Sequence, residues 1–176
     1  MIVYFLRHVS AGQHGLNPKQ DEKRPIDEIG ERQSKDIGRA LAALGVEVEA
    51  VISSPLTRAQ QTAELTAKEF GYKGEISIED AMRPEANVDQ FYDLLTQYSK
   101  SEAIMVVGHN PSITEFLVNV LTGHDHSTWI DYKKGAVAKV EVEDGRGVLN
   151  WMLTPKMARA LQTASAKSSR PKTSRK

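Results

Sequence analysis

The sequence has 176 residues, no cysteine and a formal net charge of zero, and this length suits one domain with a full-sized core. The lack of cysteine excludes disulfides, thiolate metal sites and cysteine catalysis. No apolar run reaches the length of a membrane span, and the N-terminal run is too short for a signal peptide. We therefore expect a soluble, cytoplasmic protein with no membrane partner.

Charge is distributed unevenly along the chain. Residues 155–176 contain seven of the 23 basic residues and none of the 23 acidic ones. The last dozen residues are Ser, Lys, Arg, Ala, Thr and Pro, a composition that cannot build a core. The sequence therefore predicts one domain over residues 1–154 and a basic, disordered tail over residues 155–176. Because the remaining domain is acidic, a nucleic-acid partner is not expected.

The first predicted element is a buried strand over residues 2–6, which are apolar and rich in strand-forming types. The strand ends at Arg7 and His8. A polar loop over residues 9–24 follows, and loops of this length are often functional. A helix then begins after Asp27, which is a suitable N-cap residue.

A second strand and helix follow directly. Residues 50–52 predict a short strand, and the next helix is predicted to begin at Pro55 with Ser54 as its N-cap. Arg58 then lies in the first turn of this helix. It is therefore expected close to the strand end and to the free backbone N–H groups of the helix start.

The second half of the chain continues the alternation and changes at its end. It predicts strands at residues 75–78 and 103–107, helices at 88–95 and 113–121, and a hairpin over 137–153. This order indicates an α/β protein, a three-layer α/β/α fold whose mostly parallel sheet ends in an antiparallel C-terminal hairpin. Three histidines outside these elements are interpreted as loop residues rather than metal ligands: His14, His124 and His126.

Polar residues follow three of the predicted strands at the point where each strand ends. The first strand ends at Arg7 and His8, the second leads through Ser54 to Arg58, and the fourth leads to His109. If these strands are parallel neighbours, their ends meet at one edge of the sheet. Two arginines and two helix N-termini there would form a phosphate site without a metal or another cofactor.

Three motifs in this order resemble the histidine phosphatase superfamily, the phosphoglycerate mutase-like proteins. They are Phe5-Leu6-Arg7-His8, residues 52–63 (ISSPLTRAQQTA) and residues 106–113 (VVGHNPSI). The third motif, together with Arg24-Pro25 followed by Gly30 and Gln33, looks most like the short phosphohistidine phosphatases of the SixA type. The resemblance covers the chain from Met1 to about Leu153.

The resemblance implies a metal-independent phosphatase that works through a phosphorylated histidine. His8 would attack phosphorus and carry the phosphoryl group transiently. Arg7, Arg58 and His109 would hold the phosphoryl oxygens and stabilise their charge during transfer. This division of roles agrees with the residues themselves, because phosphoryl transfer depends mainly on positioning and charge stabilisation.

Four further positions have less defined roles. Arg24 and Ser54 are candidates for substrate binding. Glu85 is the candidate proton donor, although the residues around it do not match the pattern of larger relatives. Val9 stands where the family usually has glycine, and its β-branched side chain predicts a rearranged loop or a reduced rate.

The lack of a clear general acid indicates a substrate whose leaving group departs easily. Imidazole, with a pKa near ~6.5, leaves far more easily than an alkoxide does. A short chain also offers little inserted sequence for a lid. We therefore predict action on phosphohistidine in a protein. The alternatives are a phosphomonoesterase or mutase acting on a small phosphorylated metabolite, and a catalytically weak phosphate-binding module.

Overall fold

A computed structural model describes residues 1–13, 17–123, 130–144 and 146–168. His14, His124 and His126 lie outside these ranges. None of the described helices is long and apolar enough to cross a lipid bilayer.

The described residues form one six-stranded sheet in the order β3-β2-β4-β1-β5-β6. The strands are β1 (Ile2–Arg7), β2 (Ala50–Ser53), β3 (Ile76–Ile78), β4 (Ala103–Gly108), β5 (Val137–Glu143) and β6 (Arg146–Leu153). The first four are parallel to one another, whereas β5 runs antiparallel to β1 and β6 antiparallel to β5. The predicted mostly parallel sheet with an antiparallel C-terminal hairpin is confirmed.

Helices cover both faces of the sheet. They are α1 (Pro18–Glu22), α2 (Glu28–Ala43), α3 (Thr57–Phe70), α4 (Val88–Gln97), α5 (Ser112–Thr122) and α6 (Pro155–Ser168), with a 3-10 turn at Asp80–Met82. Neighbouring strand residues point to opposite faces. Phe5 therefore packs in one core with Phe91 of α4, while Leu6 packs in the other with Ile37 of α2.

The strand register brings the three expected strand ends together. Arg7 of β1 lies opposite Gly108 of β4, and Ser53 of β2 lies opposite Val107 of β4. The pairing continues past the strands, because the backbone N–H of His8 donates to Gly108 O at 2.9 Å. β4 therefore stands between β1 and β2, and all three strands end at the same edge.

Helix α3 begins later than the sequence predicts. Its first residue is Thr57 and its N-cap is Leu56, which makes no side-chain capping bond. The prediction of Ser54 as N-cap and Pro55 as the first helical residue is therefore wrong. The Ser54 hydroxyl instead accepts a hydrogen bond from Leu56 N at 3.3 Å and contacts His109. His109, which follows β4, thus holds the Ser54 hydroxyl that the local sequence predicts to cap the helix.

The prediction that the chain is a disordered tail from residue 155 onward is also wrong. Residues 155–168 form α6, which packs on α2. Ala158 is fully buried, and Arg159 pairs with Asp36 of α2 at 3.0 Å. Gln162 donates to the backbone carbonyl of Asp36 at 2.8 Å. The early part of this segment contains good helix formers such as Ala, Leu and Met. The Ser- and Lys-rich composition used for the prediction belongs to its later part, and residues 169–176 lie outside the described ranges.

Candidate active site

His8 follows the last residue of β1 and is buried, with 6% of its surface exposed. Its Nδ1 lies 2.7 Å from the carbonyl oxygen of Val9. A carbonyl only accepts hydrogen bonds, so Nδ1 must carry the proton and donate it. In the neutral ring, Nε2 then keeps a lone pair. The backbone thereby selects the tautomer with the proton on Nδ1.

The electrostatic surroundings keep the His8 ring neutral. Burial, together with the positive charges of Arg58, Arg7 and Lys134, lowers the pKa of His8 to about 3. The hydrogen bond to Val9 acts in the opposite direction and is outweighed. At physiological pH the ring is therefore uncharged and one of its nitrogens keeps a lone pair.

His109 lies beside His8, with 4.9 Å between the ring centroids. Its Nε2 is hydrogen-bonded to the Ser54 hydroxyl at 2.9 Å. Burial, together with the neighbouring His8 and Arg58, lowers the pKa of His109 to about 2. A neutral imidazole with Nε2 held by Ser54 can offer Nδ1 to a ligand as donor or acceptor.

The guanidinium of Arg7 is held by the backbone carbonyl of Tyr132, a residue distant in sequence. Its Nη1 donates to Tyr132 O at 2.5 Å. Tyr132 is itself fixed, because its buried hydroxyl donates to Phe5 O at 2.6 Å. The sequence does not reveal Tyr132 as a site residue, since a contact through its backbone carbonyl depends on the fold and not on residue type.

Arg58, the second residue of α3, is held by the short helix α1. Its Nη1 donates to Asp21 O at 2.8 Å and lies 3.2 Å from the Asp21 carboxylate. The same carboxylate accepts from Arg24 Nε at 2.9 Å. Asp21 is a site residue that the sequence did not reveal, and the available signal was its position three residues before Arg24.

Arg24 and Ser54 each contact the site through another residue, Arg24 through Asp21 and Ser54 through His109. Arg24 is 8% exposed, and besides Asp21 it donates from Nη1 to Gly12 O at 2.9 Å. Its charge is one of the influences that lower the pKa of Arg58 and of His109. Ser54 is fully buried and holds His109.

Several buried donors of these side chains have no partner within the protein. Among the described residues, five buried side-chain polar atoms lack a hydrogen bond, and three of them belong to this site: Arg7 Nε, Arg58 Nε and His109 Nδ1. A buried polar atom without a partner costs about 1–3 kcal/mol. Their concentration at one sheet edge, among cationic side chains, is typical of a site for an oxyanion.

The Val9 side chain packs between two glycines, Gly30 and Gly135. It is fully buried, and Asp144 is the only non-glycine residue with positive φ in the described chain, so Val9 has an ordinary backbone conformation. A Cβ on Gly30 would lie 2.9 Å from one Val9 methyl, and a Cβ on Gly135 would lie 3.2 Å from the other. The two glycines provide the space that the valine needs.

Glu85 forms an ion pair with Arg83. Its carboxylate is 70% exposed and stands 3.8 Å from Arg83 Nη1, a guanidinium that has shorter contacts with Asp80 and Glu22. No hydrogen bond or ion pair joins Glu85 to His8 or His109. In the part of the chain that the structure describes, no group of three His, Asp or Glu side chains is placed to hold a metal ion.

Comparison with known proteins assigns the family. The family model described as histidine phosphatase superfamily (branch 1) matches residues 3–90, half of the chain. The chain belongs to the histidine phosphatase superfamily. The expected family and enzyme class, a histidine phosphatase and so a hydrolase, are confirmed.

Two relatives extend the similarity beyond the matched half. An uncharacterized protein of a Picosynechococcus species is 31% identical over 70% of this chain and 77% of its own length. The phosphohistidine phosphatase SixA of Escherichia coli is 26% identical over 92% of this chain and all of its own length.

Solved structures show the same fold. The protein histidine phosphatase SixA complexed with tungstate superposes with a TM-score of 0.78 at 24% identity, covering 89% of this chain and 98% of that one. Phosphoglycerate mutase from Bacillus anthracis has a TM-score of 0.70 at 12% identity, covering 90% of this chain and 95% of that one. The phosphoglycerate mutase-like fold of this superfamily member is therefore confirmed.

The two lowered histidine pKa values predict that stability falls in mild acid. In the unfolded chain His8 and His109 bind protons below about pH 6.5, whereas in the folded protein they stay neutral down to about pH 3 and about 2. The unfolded state therefore gains protons first, and the free energy of unfolding falls as pH drops. Each histidine contributes up to about 1.4 kcal/mol per pH unit. Urea denaturation between pH 7 and 5 should show a shallower loss in His109→Asn, and equal slopes would contradict the assignment.

The Asp21 carboxylate predicts a second effect, on anion binding. This carboxylate forms ion pairs with Arg58 and Arg24 and so competes with a bound anion for them. Asp21→Asn should therefore bind inorganic phosphate about fivefold more tightly, which is the magnitude expected for a partly exposed ion pair. Glu22→Gln is the matched control, because it removes the neighbouring carboxylate, which pairs with Arg83 instead. Isothermal titration with phosphate measures both. Weaker binding by Asp21→Asn would show that this carboxylate is needed to hold Arg58 in position.

Proposed function

We propose that this enzyme hydrolyses a phosphoryl group through a phosphohistidine formed on His8, and that its substrate is phosphohistidine in another protein. The observation that carries the proposal is the state of His8. The ring is buried, neutral and held in one tautomer by Val9 O, beside the guanidinium groups of Arg7 and Arg58. Such a ring is a ready nucleophile next to the charges that bind a phosphoryl group.

The reaction then proceeds in two transfers. The Nε2 lone pair of His8 attacks phosphorus, the bond from phosphorus to the substrate breaks, and the leaving group takes up a proton. Water next attacks the phosphoryl group on His8, which releases inorganic phosphate and restores the free imidazole. Arg7, Arg58 and His109 bind the phosphoryl oxygens in both steps, and their charge and hydrogen bonds stabilise the transition states.

The remaining site residues support these groups. Ser54 fixes His109 through the bond to Nε2, which leaves Nδ1 for a phosphoryl oxygen. Arg24 pairs with Asp21 beside Arg58 and adds positive charge to the anion site. No step in this scheme requires a cofactor.

The surroundings of His8 favour a leaving group that needs little acid assistance. Both histidines have pKa values far below neutrality, and the carboxylate beside Arg58, that of Asp21, is engaged in ion pairs with Arg58 and Arg24. An imidazole leaving group has a pKa near ~6.5 and so needs much less help than an alkoxide. The similarity to SixA along the whole of that protein supports the same substrate class. A cytoplasmic location stays a prediction.

Trapping the intermediate tests the proposal. Rapid mixing with a 32P-labelled phosphohistidine protein should place an acid-labile label on the enzyme, and His8→Ala should carry none. Turnover of the phosphohistidine protein should exceed that of phosphoglycerate and an aryl phosphate at equal concentration. Preference for phosphoglycerate would overturn the substrate assignment. Binding of phosphate without label or turnover would instead indicate a phosphate-binding module.

A variant of Glu85 tests the alternative function, that of a phosphomonoesterase or mutase acting on a small metabolite. A proton donor for an alkoxide would contribute about 10²–10⁴-fold to the rate. With phosphohistidine as substrate, Glu85→Gln should change turnover by less than about twofold, since the leaving imidazole needs little acid. The matched control is Asp80→Asn, which removes another carboxylate from Arg83. Hydrolysis of an alkyl phosphate that is efficient in the wild type and lost in Glu85→Gln would favour the metabolite enzyme.

A further inference from the structure

Thr62 lies one helical turn after Arg58 in α3 and is fully buried. Its hydroxyl has two backbone partners. It accepts a hydrogen bond from Val9 N at 3.2 Å and donates one to Arg58 O at 2.6 Å. One side chain thus joins the residue after the nucleophile to the residue that carries a phosphate-binding arginine.

Gln33 of α2 contacts the same segment from another element. Its side-chain oxygen accepts a hydrogen bond from Ser10 N at 2.8 Å. The N–H of Ser10 and the carbonyl of Val9 belong to one planar peptide unit. Gln33 therefore fixes the orientation of the same peptide whose carbonyl oxygen holds Nδ1 of His8.

Thr62 and Gln33 together hold the peptide units on both sides of Val9. Thr62 binds the N–H of the first unit and Gln33 binds the N–H of the second. The Val9 side chain adds packing between Gly30 and Gly135. With both peptide planes fixed, the Val9 carbonyl has one direction available, and that direction meets the imidazole of His8.

We propose that Thr62 and Gln33 are positioning residues, which hold the Val9 segment so that its carbonyl keeps the proton of His8 on Nδ1 and leaves Nε2 free to attack. The inference rests on the proposed function for its kinetic consequence. The tautomer of His8 can be measured without any turnover.

The chain offers closely matched variants for the test. Thr62→Val keeps the volume and removes the hydroxyl, while Thr62→Ser keeps the hydroxyl. Thr66 is the control, because it lies one turn further along α3, is fully buried, and its hydroxyl has no hydrogen-bond partner. Gln33→Met removes the accepting oxygen, and Gln33→Glu keeps it.

Two readouts are expected to change together. In 15N NMR of the full-length protein at pH 7, wild-type His8 should show the proton on Nδ1, and Thr62→Val and Gln33→Met should show a mixture with the proton on Nε2. The rate of labelling from a phosphohistidine protein should fall about tenfold in both, the loss expected for one hydrogen bond, with little change in KM. Thr62→Ser, Gln33→Glu and Thr66→Val should stay within about twofold of the wild type.

The outcomes separate the two proposals. An unchanged tautomer and rate in Thr62→Val and Gln33→Met would overturn the inference. An equal loss of labelling rate in Thr66→Val would also overturn it, because any such change in α3 would then lower the rate. If Thr62→Val does not fold, the Gln33 pair gives the same decision. If wild-type protein never labels, the proposed function fails, while the NMR measurement still decides whether these side chains set the tautomer.

Discussion

The hydrogen bond from Nδ1 of His8 to the carbonyl of Val9 is the interaction on which the site depends. A buried histidine between guanidinium groups is uncharged, and a neutral imidazole has two tautomers of different chemistry. Only one of them has a lone pair on Nε2. The fold therefore has to specify a proton position as well as a side-chain position, and a backbone carbonyl achieves this without adding another titratable group.

The sheet supplies the framework for that bond. β4 pairs with both β1 and β2, so the residues after all three strands meet without long connecting loops. Each of the four principal side chains stands within two residues of a strand end or a helix start. The cost of leaving their donors unpaired in the buried site is offset by the two packed cores on either face of the sheet.

The grouping of Arg7, His8, Arg58 and His109 could be predicted because its signals are local. Apolar runs mark strand ends, and strand–helix alternation makes those ends meet. Asp21, Tyr132 and the packing of α6 could not be predicted in this way. Each depends on which distant element lies alongside, and for Tyr132 on a backbone carbonyl that every residue possesses. The choice of Ser54 as a helix cap was wrong for the same reason, since a distant histidine holds that hydroxyl.

The place of β1 in the sheet has a consequence for how the protein is made. β1, which leads to His8, is synthesised well before its two neighbours, which begin at Ala103 and Val137. Contacts so distant in sequence close slowly, because loop entropy is lost before they form. During synthesis β1 therefore stays without either neighbour until β4 has been made. The apolar residues of β1 must then remain free of other partners, which leaves this strand exposed to misassociation.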